Sequence, residues 1–291
     1  MSNIQQLSDT LWINSSELFT YHSGIIVSEG NAVVIDPGLK QTEIDALAQF
    51  VRVQNWNVNA VILTHGHWDH ILGAETFSNA RILAQRVFLT SPRNDPNDIR
   101  RILGKKPELG RTAPFVMPTP HETFDENMTF HVGALTLKLI HTPGHAPDHL
   151  FVYERATGTV WTADMLSDQE IPYVIDNLGA YARTMEKISA DGIKLLVACH
   201  AAPTRDANEI HARIENDRAY ILELRGRVQN AVNAGKSLDE TRELCADIPY
   251  RQSVDDNRGA HRRNVESAYS ELGGQVDDAV GWKRTWIEFT A

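Results

Sequence analysis

The sequence predicts an α/β fold of two or four layers followed by a helical C-terminal region. Three observations predict it. Short runs rich in Val, Ile, Leu and Thr recur as far as about residue 205, stretches of helical periodicity lie between them, and from Asp206 the apolar positions fall at helical spacing alone. With 291 residues, 42% hydrophobic and 23% charged, the chain has ordinary globular composition and length for a full core. Residues 1–205 are read as one domain and 206–291 as a helical appendage that shapes a pocket.

Strands are expected over 10–14, 19–27, 32–35, 60–63, 81–84, 128–132, 135–140, 150–153, 159–162 and 195–198, with a hairpin turn at 156–158. Residues 41–53 read as a helix, and Leu178, Tyr181, Met185 and Ile188 mark the apolar face of another. The segment 91–120 holds Pro92, Pro96, Pro107, Pro114, Pro118 and Pro120, half of the chain's 12 prolines, and reads as an inserted loop with one short helix. Its Arg100, Arg101, Lys105, Lys106 and Arg111 either receive an anionic substrate or are the solvated charges of an exposed loop, which is the commoner case. Asp206 with Glu209 has the form of a capping box, after which Ile210, Ile214, Ile221, Leu224 and Val228 line one face. Ser237 with Glu240 opens a further helix, and a third covers 261–272. The tail GWKRTWIEFTA carries two tryptophans that would pack back on the core or join a second copy in a homodimer.

Composition narrows the partners. A formal charge of -10 repels polyanions, so small-molecule substrates are expected and nucleic acid is not. No segment approaches the roughly 18 apolar residues of a membrane helix, and the N-terminal stretch has no basic start followed by an apolar run, so a cytoplasmic protein without a membrane anchor is expected. Cys199 and Cys245 are the only cysteines, which suits two reduced thiols.

The chemistry concentrates in THGHWDH, residues 64–70, directly after the apolar run AVIL. A structural histidine needs one hydrogen-bond partner, whereas His65, His67, Asp69 and His70 crowded on one turn are what a cation requires. Residues two apart in an extended turn face the same side, so His65 and His67 can share one cation while Asp69 and His70 face a second. Neither set is complete, because a catalytic zinc takes about three protein ligands. The missing donors are expected at other strand ends: His145 in HTPGH, Asp164 in WTAD and His200 in VACH.

These residues, HGHWDH followed by TPGH, TAD and CH, resemble the metallo-β-lactamase superfamily in signature and order over about residues 7–205. The resemblance implies an αββα sandwich with the helical region as a C-terminal extension. It implies two divalent metal ions, zinc first, with iron or manganese accepted by the same donors. His65, His67 and His145 would hold one, Asp69, His70 and His200 the other, and Asp164 both. A water between them would ionise near neutral pH and attack as hydroxide. Asp69 would also act catalytically, orienting the nucleophile and passing a proton to the leaving group. Asp36, in VVIDPG, falls where the family keeps a carboxylate beneath the site; it either fixes the tautomer of a ligand histidine or caps the Pro-Gly turn.

Asp164 is similar to the bridging residue of the glyoxalase II, lactonase, thioesterase and phosphodiesterase branches and is lacking in true metallo-β-lactamases. Flavodiiron oxygen reductases carry glutamate where His67 stands. Lactonases place a tyrosine three residues after the bridging aspartate, where this chain has Ser167, leaving Tyr173 or Tyr181 to supply a hydroxyl. The expected activity is hydrolysis of a small carboxylic thioester, ester or lactone. Alternatives are a phosphodiesterase of the same fold and, from another class, a metal-containing ligand-binding effector that regulates a partner. His22 is a candidate substrate contact, and His141 and His149 are either supports of the site or satisfied structural histidines. Cys199 occupies a position where the family usually has glycine.

Overall fold

The computed structural model describes residues 3–174, 176–251 and 256–275. The chain begins as an antiparallel ribbon of β1 (Ile4–Gln6), β2 (Leu11–Ser15), β3 (His22–Ser28) and β4 (Asn31–Ile35). Glu29 and Gly30 join the last two with φ of 51° and 74°, the paired positive values of a tight hairpin turn. Then α1 (Gln41–Val53) buries Ile44, Leu47 and Val51 and carries the chain to β5 (Asn57–Ile62), parallel to β4. The four-residue α2 (Trp68–Ile71) precedes β6 (Arg81–Gln85), and α3 (Pro96–Leu103) precedes β7 (Glu122–Phe124). The first sheet runs β1 to β7 in chain order.

The second sheet contains β8 (Asn127–Val132), β9 (Leu135–His141), β10 (Leu150–Glu154), β11 (Thr159–Trp161) and, after α4 (Leu178–Lys187), β12 (Leu195–Val197), which pairs parallel to β11. Three helices complete the described chain: α5 (Ala207–Asn233), α6 (Leu238–Cys245) and α7 (Asp256–Glu271).

Period-2 alternation in the second sheet separates two cores. Leu150, Val152, Trp161, Leu195 and Val197 join the core shared with the first sheet. Phe151, Val160 and Leu196, on the opposite face, pack with Tyr181, Ile210, Ile214, Ile221, Leu224 and Val228 of the helices. Helices, two sheets and helices therefore stack in the expected order, and the C-terminal helices share a core with the second sheet. Gly24 has to be glycine because a Cβ there would lie 2.9 Å from the ring of Trp161, where the sheets meet.

All ten expected strands form. β1 and β7 were missed: they have the same three-residue length as β11 and β12 but are largely polar and exposed, with no apolar run to mark them. Residues 19–21 are not strand as expected, because the chain turns there, with Ser16 N–H donating to Tyr21 O at 2.9 Å. The 91–120 insertion holds α3 and two short 3-10 turns, and Ile99, Leu109 and Phe115 anchor it in the main core. The capping box at Ser237 and Glu240 forms. At Asp206 only half of one does: its side chain accepts from Asn208 and Glu209 N–H, but the Glu209 carboxylate turns to Thr204 and Arg213 instead. The tail GWKRTWIEFTA lies outside the described residues. No helix among the described residues is long and apolar enough to cross a membrane.

Candidate metal centre

Five strand ends converge. Asp36 follows β4, Thr64 and His65 follow β5, His145 follows β9, Asp164 follows β11 and His200 follows β12, while His67 caps α2 and Asp69 and His70 lie within it. Backbone strain accumulates at the same places: Asp36, Ala163 and Leu166 adopt φ of 45°, 49° and 62°, values that non-glycine residues hold only where their surroundings impose them.

The seven side chains expected to converge do so, in two groups. In the first, His67 Nδ1 lies 2.9 Å from His65 Nε2 and 3.2 Å from His145 Nε2, and Asp164 Oδ2 lies 3.2 Å from His145 Nε2 and 3.5 Å from His65 Nε2. In the second, Asp69 Oδ2 is 3.4 Å from both His70 Nε2 and His200 Nε2. The other oxygen of Asp164, Oδ1, is 3.0 Å from His70 Nε2 and 3.4 Å from His200 Nε2. Within each group the donor atoms lie within 4.8 Å of one another.

These residues fit divalent cations. His70 Nε2 and Asp164 Oδ1 are buried and face each other, yet neither makes a hydrogen bond. Three imidazole nitrogens turned on one point cannot all be satisfied by protons between them, whereas a cation at that point satisfies every lone pair. The far nitrogens are held: His65 Nδ1 by Thr64 Oγ1 at 3.1 Å, His70 Nδ1 by Asp36 Oδ2 at 2.9 Å, His145 Nδ1 by Tyr173 O at 3.2 Å and His200 Nδ1 by Thr20 O at 2.9 Å. Each such contact selects the tautomer that turns a bare nitrogen inward.

The electrostatics divide along the same line. Burial lowers His65 to about 4, with His70 adding to the effect, and burial also holds His67 well below its usual value. For His70 and His200 burial acts downward too, but Asp164 outweighs it together with Asp69 at His70 and Glu170 at His200, so both are raised well above the ordinary value. Burial opposes ionisation of Asp69 and Asp164, and the histidines overcome it, with His70 foremost, so both carboxyls stay well below the usual range.

The remaining candidates have other tasks. Asp36 grips Thr64 N at 2.8 Å and Thr64 Oγ1 at 2.6 Å besides holding His70, so it braces the site and does more than cap a turn. His22, read as a candidate substrate contact, has both ring nitrogens engaged, with Ser15 Oγ at 2.9 Å and Ala201 O at 3.0 Å, and fastens the turn after His200. Ser167 Oγ donates to His200 O at 2.8 Å and accepts from Gln169 and Glu170 N–H, so it secures the same turn. Tyr173 contributes its carbonyl to His145, and its hydroxyl meets Arg263 Nη2 at 2.6 Å. Tyr181 is fully buried behind Gly144. His141 Nε2 bonds Pro147 O at 2.8 Å and so braces the turn that bears His145, while His149 sits behind His65 with its Nδ1 on Thr142 Oγ1 at 2.8 Å. Cys199 is buried and its thiol is pushed up to about 12 by burial, which keeps it protonated.

Four of the insertion's five named cations have partners in the protein, Arg100 reaching Phe115 O at 3.3 Å, while Lys105 is exposed. Arg101 pairs with Asp98, Arg111 reaches Leu72 O and Glu75 at 2.7 Å each, and Lys106 lies over the Trp68 ring. Sequence reasoning missed Thr64, although it stands beside the motif. It also missed Tyr21, whose hydroxyl donates to Asp36 O at 2.9 Å and whose ring packs on His70 and His200. Asp148 and Asn94, joined at 3.0 Å beside Gly66, and Glu170, whose carboxyl is raised by burial beside His200, were missed as well. No local pattern marks these four, because each comes to the site from a separate loop.

Comparison with known proteins shows the family and the fold. A linear primary-alkylsulfatase from Pseudomonas sp. is 22% identical over 255 residues, covering 74% of this chain and 46% of its own length. An atrochrysone carboxyl ACP thioesterase from Aspergillus chevalieri is 23% identical over 237 residues, covering 79% of this chain and 68% of its own. The solved structure of a stereoselective inverting sec-alkylsulfatase from Pseudomonas sp. superposes with a TM-score of 0.72 at 16% identity, covering 96% of this chain and 52% of that one. The chain thus spans about half the length of its alkylsulfatase relatives. The family model described as the metallo-beta-lactamase superfamily matches residues 18–200, and the chain belongs to that superfamily.

Proposed function

We propose that this chain is a metal-dependent hydrolase with two ions, acting on a small carboxylic thioester, ester or lactone. One observation carries the reading: the two oxygens of Asp164 divide between two groups of histidines, Oδ2 toward His65 and His145 and Oδ1 toward His70 and His200. A carboxylate spends its two oxygens in this way when it is shared between two cations. His65, His67 and His145 would hold the first ion and Asp69, His70 and His200 the second, with Asp164 common to both.

When bound, the ions would bring a water's pKa toward neutrality and draw charge from the substrate's carbonyl oxygen. The chain's own residues do the rest. Asp69 engages His70 and His200 through Oδ2, which leaves Oδ1 to orient an attacking water and to hand its proton to the leaving group. Asp36, through His70, and the carbonyls of Tyr173 and Thr20, through His145 and His200, fix the donors before substrate arrives.

Thioesterase relatives favour an acyl substrate, and the alkylsulfatase relative makes a sulfate ester the second reading. Metal analysis followed by a panel of thioesters, lactones, aryl esters, bis-aryl phosphodiesters and alkyl sulfates separates them. Turnover of an acyl class, abolished by chelator and lowered at least about a hundredfold by Asp164→Ala, is expected. Turnover of alkyl sulfates alone transfers the reading to sulfate esters. Full occupancy by zinc, iron or manganese without turnover of any class points instead to a ligand-binding effector.

A further inference from the structure

We propose that Arg213 and Asp217, one turn apart on α5, are positioning residues for the second ion group, holding the turn after Asp164 and the turn after His200 in register. The proposal rests on the two-ion reading above. Both residues are almost completely buried, at 2% and 1% exposure, on a helix outside the span that the family model matches.

Their hydrogen bonds go to the backbone of those two turns. Asp217 Oδ2 accepts from Leu166 N–H at 3.2 Å, and Arg213 Nη1 reaches Leu166 O at 3.5 Å. Arg213 Nη2 donates to Ala202 O at 2.9 Å, two residues beyond His200. Arg251 closes the far side, with Nη1 donating to Asp217 Oδ1 and to Glu170 O at 2.9 Å each. Glu209 and Asp168 pair with Arg213.

A buried charge network is weak evidence for stability, since apolar residues of the same volume commonly do as well. Its use here lies in what it grips. Leu166 holds a φ of 62°, a left-handed conformation that is unfavourable for leucine and persists only where neighbours impose it. Leu166 lies two residues beyond Asp164, and Asp164 and His200 are the donors to the second group that come from outside the THGHWDH turn. Asp217 and Arg213 take hold of Leu166 N–H and C=O while Arg213 also holds the strand-end turn of His200, so one helical turn sets the spacing between these two donors. In the first group, His145 is placed by other contacts, namely the Gly144 backbone against Tyr181 and the bond to Tyr173 O.

Stepwise zinc titration of the chelator-stripped full chain, followed by native mass spectrometry and calorimetry, tests this. For Asp217→Asn the second binding constant is expected to weaken about 10- to 100-fold, as for other residues that orient ligands, and the first, which shares only Asp164 with it, about tenfold less than the second. Tyr220→Phe, on the same helix, removes a hydroxyl that bonds His261 and Asn264 and faces α7; both constants should stay at wild-type values. Should Asp217→Asn not fold, Arg213→Lys retains the charge beside Glu209 and Asp168, loses the forked reach to Ala202 and Leu166, and is expected to show the same selective loss. Equal weakening of both constants, no change in either, or loss of the fold in both variants overturns the proposal. Wild-type protein that binds fewer than two zinc ions overturns the two-ion reading, and this one with it.

Discussion

Asp36 Oδ2 lies 2.9 Å from His70 Nδ1, and neither side chain has any exposure to solvent. The carboxylate also takes both the N–H and the hydroxyl of Thr64, at 2.8 and 2.6 Å, so a single buried anion ties the end of β5 to the helix turn that bears Asp69 and His70. Asp36→Asn keeps the size and loses the charge. We expect zinc affinity, measured against a competing chelator, to fall about 10- to 100-fold, and urea unfolding of the ion-free protein to show a loss of about 3–5 kcal/mol. Wild-type affinity in the variant would remove Asp36 from the site.

The raised histidines predict proton release. In the ion-free protein, burial disfavours charge on His70 and His200, but Asp164 and its neighbours prevail, so both hold a proton more tightly than an ordinary histidine while Asp69 and Asp164 give theirs up more readily than ordinary carboxyls. Ions must displace those protons, roughly two per chain. Zinc-binding heats at pH 7 should therefore scale with the ionisation enthalpy of the buffer, and buffer-independent heats would contradict the arrangement. The sign for stability follows. The two histidines, raised above their unfolded values, stabilise the ion-free fold fully below about pH 6.5, and that contribution is lost as pH rises through their folded values. Asp69 and Asp164, lowered in the fold, contribute above about pH 3.8 and lose that contribution as pH falls. The rise in melting temperature on adding zinc should consequently be larger at about pH 8 than at about pH 6.

Gly144, in the turn before His145, has a φ of 136°, and a Cβ on it would meet the Tyr181 backbone at 2.4 Å. Backbone cannot step aside as a flexible side chain can. Gly144→Ala should destabilise by about 2–5 kcal/mol, combining unfavourable φ with overpacking, and should lower zinc affinity by moving His145. Gly30→Ala, at a φ of 74° with nothing within 4 Å, carries the conformational penalty alone and should lose about 1 kcal/mol without touching zinc binding. Denaturant midpoints for the two variants decide this; similar losses would mean that the turn relaxes.

Much of the molecule was legible along the chain. Apolar runs marked ten of the strands, and helical periodicity located the buried faces of α4 and α5. The grouping of His65, His67, Asp69 and His70 on one turn, with His145, Asp164 and His200 each ending a strand, was readable because residue type and local spacing carry it. β1 (IQQ) and β7 (ETF) were not, since each is mostly polar and exposed, whereas the equally short β11 and β12 are wholly buried.

What the sequence by itself determined is the α/β class and the grouping of His and Asp side chains at strand ends: side-chain period and strand-end placement are local properties that survive without a fold. Only the tertiary structure decided the number of layers and how those side chains are held. It directed His22 to Ala201 O, which a lone histidine in the sequence does not reveal. It turned Ser167 back onto His200 O. It brought Arg213 and Asp217 from a helix about fifty positions downstream of Asp164 to the strained turn at Leu166. The physical reason is that a buried polar atom takes whichever partner close packing delivers, and packing joins segments far apart in the chain that share no local pattern.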